Sequence, residues 1–162
     1  MSIQVPFLFY LLFLSSNSLQ NPFSACCENP VDSLISPDVR VINVKVSGEE
    51  GAYTFDVTLE SSDTGCEQYA NWWEVVNDSG TLVYRRILGH SHVNEQPFTR
   101  SGGPIALSER ETVIIRGHMN NSGYGSKVFM GSVADGFRQH AAERGFAPSL
   151  EKAPPLPEGC AF

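Results

Sequence analysis

The chain has 162 residues, 41% of them hydrophobic and 18% charged, with a formal net charge of −7 from 18 acidic and 11 basic side chains. That length supports one domain with a sizeable core, and the composition is globular rather than disordered. The acidic balance argues against a generic phosphate-binding surface, and with it nucleic acid as a partner.

An apolar block, Val5–Leu14, is followed by Ser15-Ser16-Asn17-Ser18. It is too short to cross a bilayer comfortably and predicts a cleaved export leader over 1–18, leaving no transmembrane anchor after processing. The predicted location is secreted, periplasmic or otherwise extracellular. A Pro- and Ser-containing lead covers 19–37, and within it Phe23-Ser24-Ala25-Cys26 loosely resembles a bacterial lipobox. Cys26, Cys27, Cys66 and Cys160 are an even set, which in an exported chain predicts disulfides. Neighbouring cysteines rarely bond to each other, so Cys26 and Cys27 are each expected to reach Cys66 or Cys160. Three pairings are formally open.

From residue 38 to 133 the chain breaks into short β-type runs. Arg40–Val46 places Ile42, Val44 and Val46 on one face, and Ala52–Leu59 does the same with Tyr53, Phe55, Val57 and Leu59. Trp72–Val76 and Thr81–Leu88 flank Asn77-Asp78-Ser79-Gly80, a hairpin connection by composition, with Trp73 as a core anchor. Ile105–Leu107, Thr112–Gly117 and Lys127–Val133 complete the set. The expected fold is all-β: an antiparallel sandwich of immunoglobulin-like or cupredoxin-like type. Asp135 is placed to cap a short helix within 134–146, stopped by Gly145, and 147–162 reads as an extended Pro-rich tail.

Gly89–Arg100 concentrates chemistry. His90 and His92 at i,i+2 share a face if the segment is extended, and His118 closes another strand-like run. Three imidazoles with Glu95 as fourth or supporting ligand suit copper or zinc, and Met119 would favour copper. The competing reading is a structural corner in which Arg100 pairs with Glu95 and Phe98 fills the core. Gly123-Tyr124-Gly125 reads as a tight loop whose tyrosine covers an edge or lines a recess. Asn77-Asp78-Ser79 and Asn120-Asn121-Ser122 are glycosylation acceptors in a eukaryotic source.

The blocks Asp63-Thr64-Gly65, Tyr69-Ala70, Trp73-Glu74-Val75, His90–Arg100 and His118 with Gly123–Lys127 together resemble a family of small, exported, mostly bacterial β-rich proteins of uncharacterised function. The resemblance covers about residues 38 to 133 and centres on an H-x-H-x-x-E-Q-P-F-T-R core. Members tend to carry Trp where this chain has Cys66, and a further His where it has Ser122. The resemblance implies export and domain limits, and no mechanism. Two functions are therefore expected: metal binding through His90, His92, His118 and Glu95, or metal-free recognition of a protein or glycan through Tyr124, Arg100 and the loops. An enzyme would need an open coordination position and a base, for which Glu95 is the one candidate nearby.

Overall fold

The computed structural model describes Met1 and residues 37–161. The predicted leader, Cys26 and Cys27, and the lead up to residue 36 lie outside the described residues. Nine strands follow in order: β1 (Val39–Ser47), β2 (Tyr53–Ser61), β3 (Ala70–Asn77), β4 (Leu82–Ile87), β5 (Phe98–Ile105), β6 (Val113–Met119), β7 (Gly123–Tyr124), β8 (Lys127–Ser132) and β9 (Gly136–Ala141). A 3-10 turn at Pro148–Lys152 is the one helical element among the described residues.

The fold is all-β, as the alternating runs imply. The strands form one sheet in the order β4-β3-β6-β8-β1-β2-β5, with β7 added beside β6 and β9 beside β8. One junction departs from the expected antiparallel plan. The β1–β8 pairing, Arg40 with Lys127, is parallel, so the sheet is mixed. The sheet curls until its two ends nearly meet. A Cβ placed on Gly102 of β5 would lie 2.7 Å from Tyr84 on β4 and 2.8 Å from the Trp73 ring on β3.

The core lies inside this wrap. Tyr53, Phe55, Val57 and Leu59 fill it from β2 as predicted, with Trp73 and Val75 from β3 and Val113, Ile115 and Met119 from β6. In β1 the expected face needs correction. A bulge between Val41 and Asn43 shifts the alternation. Val39 and Val41 are fully buried, Val44 and Val46 pack on the core, and Ile42 is the bulged residue.

The helix expected within 134–146 is not formed. Residues 136–141 are β9, paired with β8 from Lys127–Ala141 to Ser132–Gly136. Ser132 Oγ donates to Asp135 and receives the Asp135 N–H, and Gly136 takes φ 79°, so Asp135 closes a tight turn instead of capping a helix. Phe137 then packs edge-on against Phe55, and the Gln139 amide donates to the Val41 carbonyl. Pairing and packing overrode local helix preference. No helix among the described residues is long and apolar enough to cross a membrane.

Candidate functional site

The outer face of β4, β3 and β6 carries a polar array that the tail covers. Inward residues of β3 and β6 are apolar, while Trp72, Glu74, Arg116 and His118 alternate to the opposite face. Register places Arg85 of β4 and Arg116 of β6 directly opposite Glu74, on either side. Glu74 is fully buried and accepts from both: Arg85 Nε at 2.8 Å and Arg116 Nε at 2.8 Å. One rung along, Trp72 faces His118, which faces Tyr124 of β7. Trp72 and His118 stack at 3.7 Å with planes 8° apart, and Tyr124 meets His118 edge-on at 5.0 Å. The rungs interlock, with Arg85 over Trp72 at 4.5 Å and Arg116 over Tyr124 at 3.4 Å.

Two carboxylate bonds leave donors on both guanidiniums, and the chain's own tail takes them. Arg85 donates to the carbonyls of Leu150, Ala153 and Pro155, and Arg116 to those of Phe146 and Ala147. Arg85 thereby satisfies every N–H it has. The far end of the tail is fixed by a Cys66–Cys160 disulfide, Cα–Cα 5.6 Å, and by the Ala161 N–H on the Gly89 carbonyl. This corrects the expectation that Cys66 and Cys160 each take one of Cys26 and Cys27.

His118 sits where the tail and sheet leave a groove lined by Asn71, Trp72, Asn120, Asn121, Glu151 and Leu156 among others. Burial, reinforced by the Arg85 and Arg116 charges, pulls its pKa down to about 3, so the ring is neutral at physiological pH. Asn71 Oδ1 lies 2.8 Å from Nδ1. With that oxygen accepting, Nδ1 carries the proton and Nε2 presents a lone pair. Nε2 lies 3.9 Å from Glu151 Oε1. Gly123 keeps room for that carboxylate, since a Cβ there would come within 3.0 Å of it. Tyr124 backs this assembly with its phenol buried, and burial followed by the nearby Glu74 charge raises its pKa.

His90, His92, Glu95 and Arg100 belong to a different place, the corner leading into β5. His92 is 2% exposed and stacks on Phe98 at 3.7 Å. Its main-chain N–H donates to Asp63 Oδ2 at 2.8 Å, while Asp63 Oδ1 receives Ala70 N–H and Ser61 Oγ. Gln96 joins the same knot through Ser61 and the His92 carbonyl. Glu95 is bound to Arg100 at 2.6 Å, and Arg100 lies over Phe98. Burial, with Arg100 and His90 nearby, lowers the His92 pKa against the pull of Asp63 and Glu95.

His90 and His92 are thus brought together, ring centroids 4.5 Å apart, whereas His118 contacts Trp72, Asn71 and Tyr124 instead. Among the described residues no three His, Cys, Asp or Glu side chains gather as a metal-holding group. Of the two ligand-recognition candidates, Tyr124 joins the His118 assembly and Arg100 the β5 corner. Glu74, Arg85, Arg116, Asn71 and Glu151 are site residues that the sequence reading passed over. A charged residue at the centre of the Trp72–Val76 run, and the Arg116-x-His118 spacing, were the available signals.

No family model matches the chain, and no solved structure matches it. The chain is 34% identical over 124 residues to a protein of Halomicrobium mukohataei described as a "Putative lipoprotein". The match covers 75% of this chain and 60% of that protein, so the chain spans less than two thirds of the relative's length.

Proposed function

We propose that this chain is an exported cell-envelope protein that recognises a glycan in the groove at His118. The relative's description as a lipoprotein and the apolar Val5–Leu14 block support the location. On this reading Cys26, behind Phe23-Ser24-Ala25, carries the lipid. The observation that carries the recognition is a neutral, buried imidazole whose free Nε2 faces the groove beside the Glu151 carboxylate. Asn121 adds an amide oxygen, its nitrogen being engaged with Gln68. The groove thus offers His118 Nε2, Glu151 and the Asn121 oxygen as acceptors, beside the Lys152 donor, which suits the hydroxyls of a sugar. Local charge is close to balanced, with Arg85, Arg116 and Lys152 against Glu74, Glu151 and Glu158, so a neutral ligand fits better than an ion.

The test is an array of immobilised neutral and acidic oligosaccharides probed with the mature chain. His118→Phe keeps the stack on Trp72 and removes Nε2. Loss of one such hydrogen bond should weaken glycan binding about tenfold. A silent array, or equal binding by the variant, overturns the reading, and capture of a protein instead would redirect it.

A second reading, copper or zinc bound at the β5 corner, has one observation in its favour. Neither His92 ring nitrogen has a hydrogen-bond partner, although both are buried, and His90 lies against it. Glu95 is committed to Arg100, His118 lies elsewhere, and the nearby Asp63 Oδ2, 3.7 Å from His92 Nδ1, is taken by the His92 main-chain N–H, so further ligands would come from solvent or from rearrangement. Calorimetric titration with each metal, repeated on His92→Ala, decides it: stoichiometric binding abolished by the substitution supports the site, and no heat from the intact chain removes it.

A further inference from the structure

The tail from Phe146 to Pro155 is held largely through its main chain, with Leu150 buried and the Phe146 ring under Arg116 as side-chain anchors. Five main-chain carbonyls are read by two guanidiniums whose positions Glu74 fixes. Within the 3-10 turn only the Leu150 side chain is buried. The tail adds no strand to the sheet, which ends its pairing at Ala141. Its entry is a connection of mostly exposed residues, 142–145, leading to Ala147. Ala147 is held at φ 43°, the one non-glycine residue in the left-handed region among those described. Its exit is a bond between Cys160 and a cysteine on the body of the domain.

These features describe a cleft filled by a separable segment of the same chain. We propose that the cleft on β4, β3 and β6 also accepts the tail of a second copy, giving a tail-exchanged dimer closed by reciprocal Cys66–Cys160 bonds. Identity of sequence guarantees that the second tail offers the same carbonyls. A different direction taken at 142–147 relieves the left-handed alanine, and exchange keeps the same guanidinium–carbonyl bonds. Within one molecule the tethered tail has the advantage of high effective concentration, so the monomer prevails when dilute. Exchange belongs to folding at high local concentration, as in other swapped dimers.

The experiment uses two full-length variants, Cys66→Ser and Cys160→Ser, neither able to close its own bond. They are mixed and oxidised with glutathione disulfide. The thiols of Cys160 and the partner's Cys66 give up two protons and two electrons, and the oxidant leaves as two molecules of reduced glutathione. The expected product is a covalent heterodimer whose digest contains the Cys66–Cys160 peptide pair. Placing Arg85→Lys in the Cys160→Ser chain, which supplies the accepting cleft, should lower its yield about fivefold, because an ammonium cannot hold three carbonyls as a planar fork does. Random oxidation would not respond to that change. Wild-type chain, reduced, unfolded and reoxidised at rising concentration, gives a second readout by light scattering, and the dimer fraction should rise with concentration. If the variants fold and yield no such peptide pair, or if they fail to fold and the wild type reoxidises as monomer at every concentration, the proposal is overturned.

Discussion

Glu74 carries a larger share of this fold than its place in an apolar strand suggests. Its two oxygens are the anionic partners for Arg85 and Arg116, and no solvent reaches its side chain. Removing one member of a buried ion group leaves the others uncompensated, which costs about 3 to 5 kcal/mol. Glu74→Gln is therefore expected to lose that much in urea denaturation at pH 7, and a loss below about 1 kcal/mol would show that water already screens the triad. At the next rung, His118 ties stability to acidity. Its pKa falls from the ordinary 6.5 to about 3 on folding, so the folded state resists a proton that the unfolded chain accepts. The contribution is fully present above pH 6.5 and is lost as pH falls towards 3, by at most about 1.4 kcal/mol per pH unit. Unfolding curves at pH 7, 5 and 4 should show His118→Phe losing less stability over that range than the wild type does. Identical acid dependence would mean that His118 takes up protons equally in the folded and unfolded states. These residues were only half legible beforehand. Alternation on Trp72 and Glu74, and on Arg116 and His118, marks a polar outer face, but the groups that complete it are backbone carbonyls, which no side-chain pattern announces.

At the level of elements, periodicity served where one face is buried and failed where a turn sets the geometry. Strand β2 follows strict alternation because its inner face meets the core at every second residue. In β1 a single inserted residue at the bulge reverses the pattern midway, which alternation alone cannot locate. For β9 the deciding facts are a three-residue turn after Ser132 and the Phe137–Phe55 contact, both invisible to a local helix criterion. The H-x-H-x-x-E-Q-P-F-T-R run shows the same limit. Its Arg100–Glu95 pair and buried Phe98 were foreseen in the corner reading, whereas the knot around Asp63 draws on residues some thirty positions away. Close backbone approach is another such constraint. A Cβ on Gly125 would lie 1.6 Å from the Val39 carbonyl oxygen, a contact that side-chain rotation cannot relieve. Gly125→Ala should push β1 away from the β7–β8 connection and cost about 3 kcal/mol, seen as a lowered denaturation midpoint. A wild-type midpoint would mean that the two segments are not held so closely.

For the whole molecule, the C-terminal tail decides both closure and site. Composition gave a β domain with an extended tail, yet four cysteines could not say which two would meet. The Cys66–Cys160 bond joins positions 94 apart, so it encloses most of the described domain and places Glu151 and Leu156 along the His118 groove. Closing a loop of that length restricts the unfolded chain, by an amount worth about 4 to 5 kcal/mol on chain entropy alone and often less in measurement. The native side loses little when the bond opens, because Arg85 and Arg116 still hold the tail through five carbonyls. Cys160→Ser should consequently remain folded, with the β-sheet circular dichroism of the wild type, while its urea stability drops by about 3 kcal/mol. Glu74→Gln in the same background loosens the remaining hold, because it removes the charge that fixes both guanidiniums. The double variant should then lose more than the sum of the two single losses, since each fastening keeps the tail in reach of the other. Simple additivity would show that the clasp and the guanidinium cleft act on the tail independently.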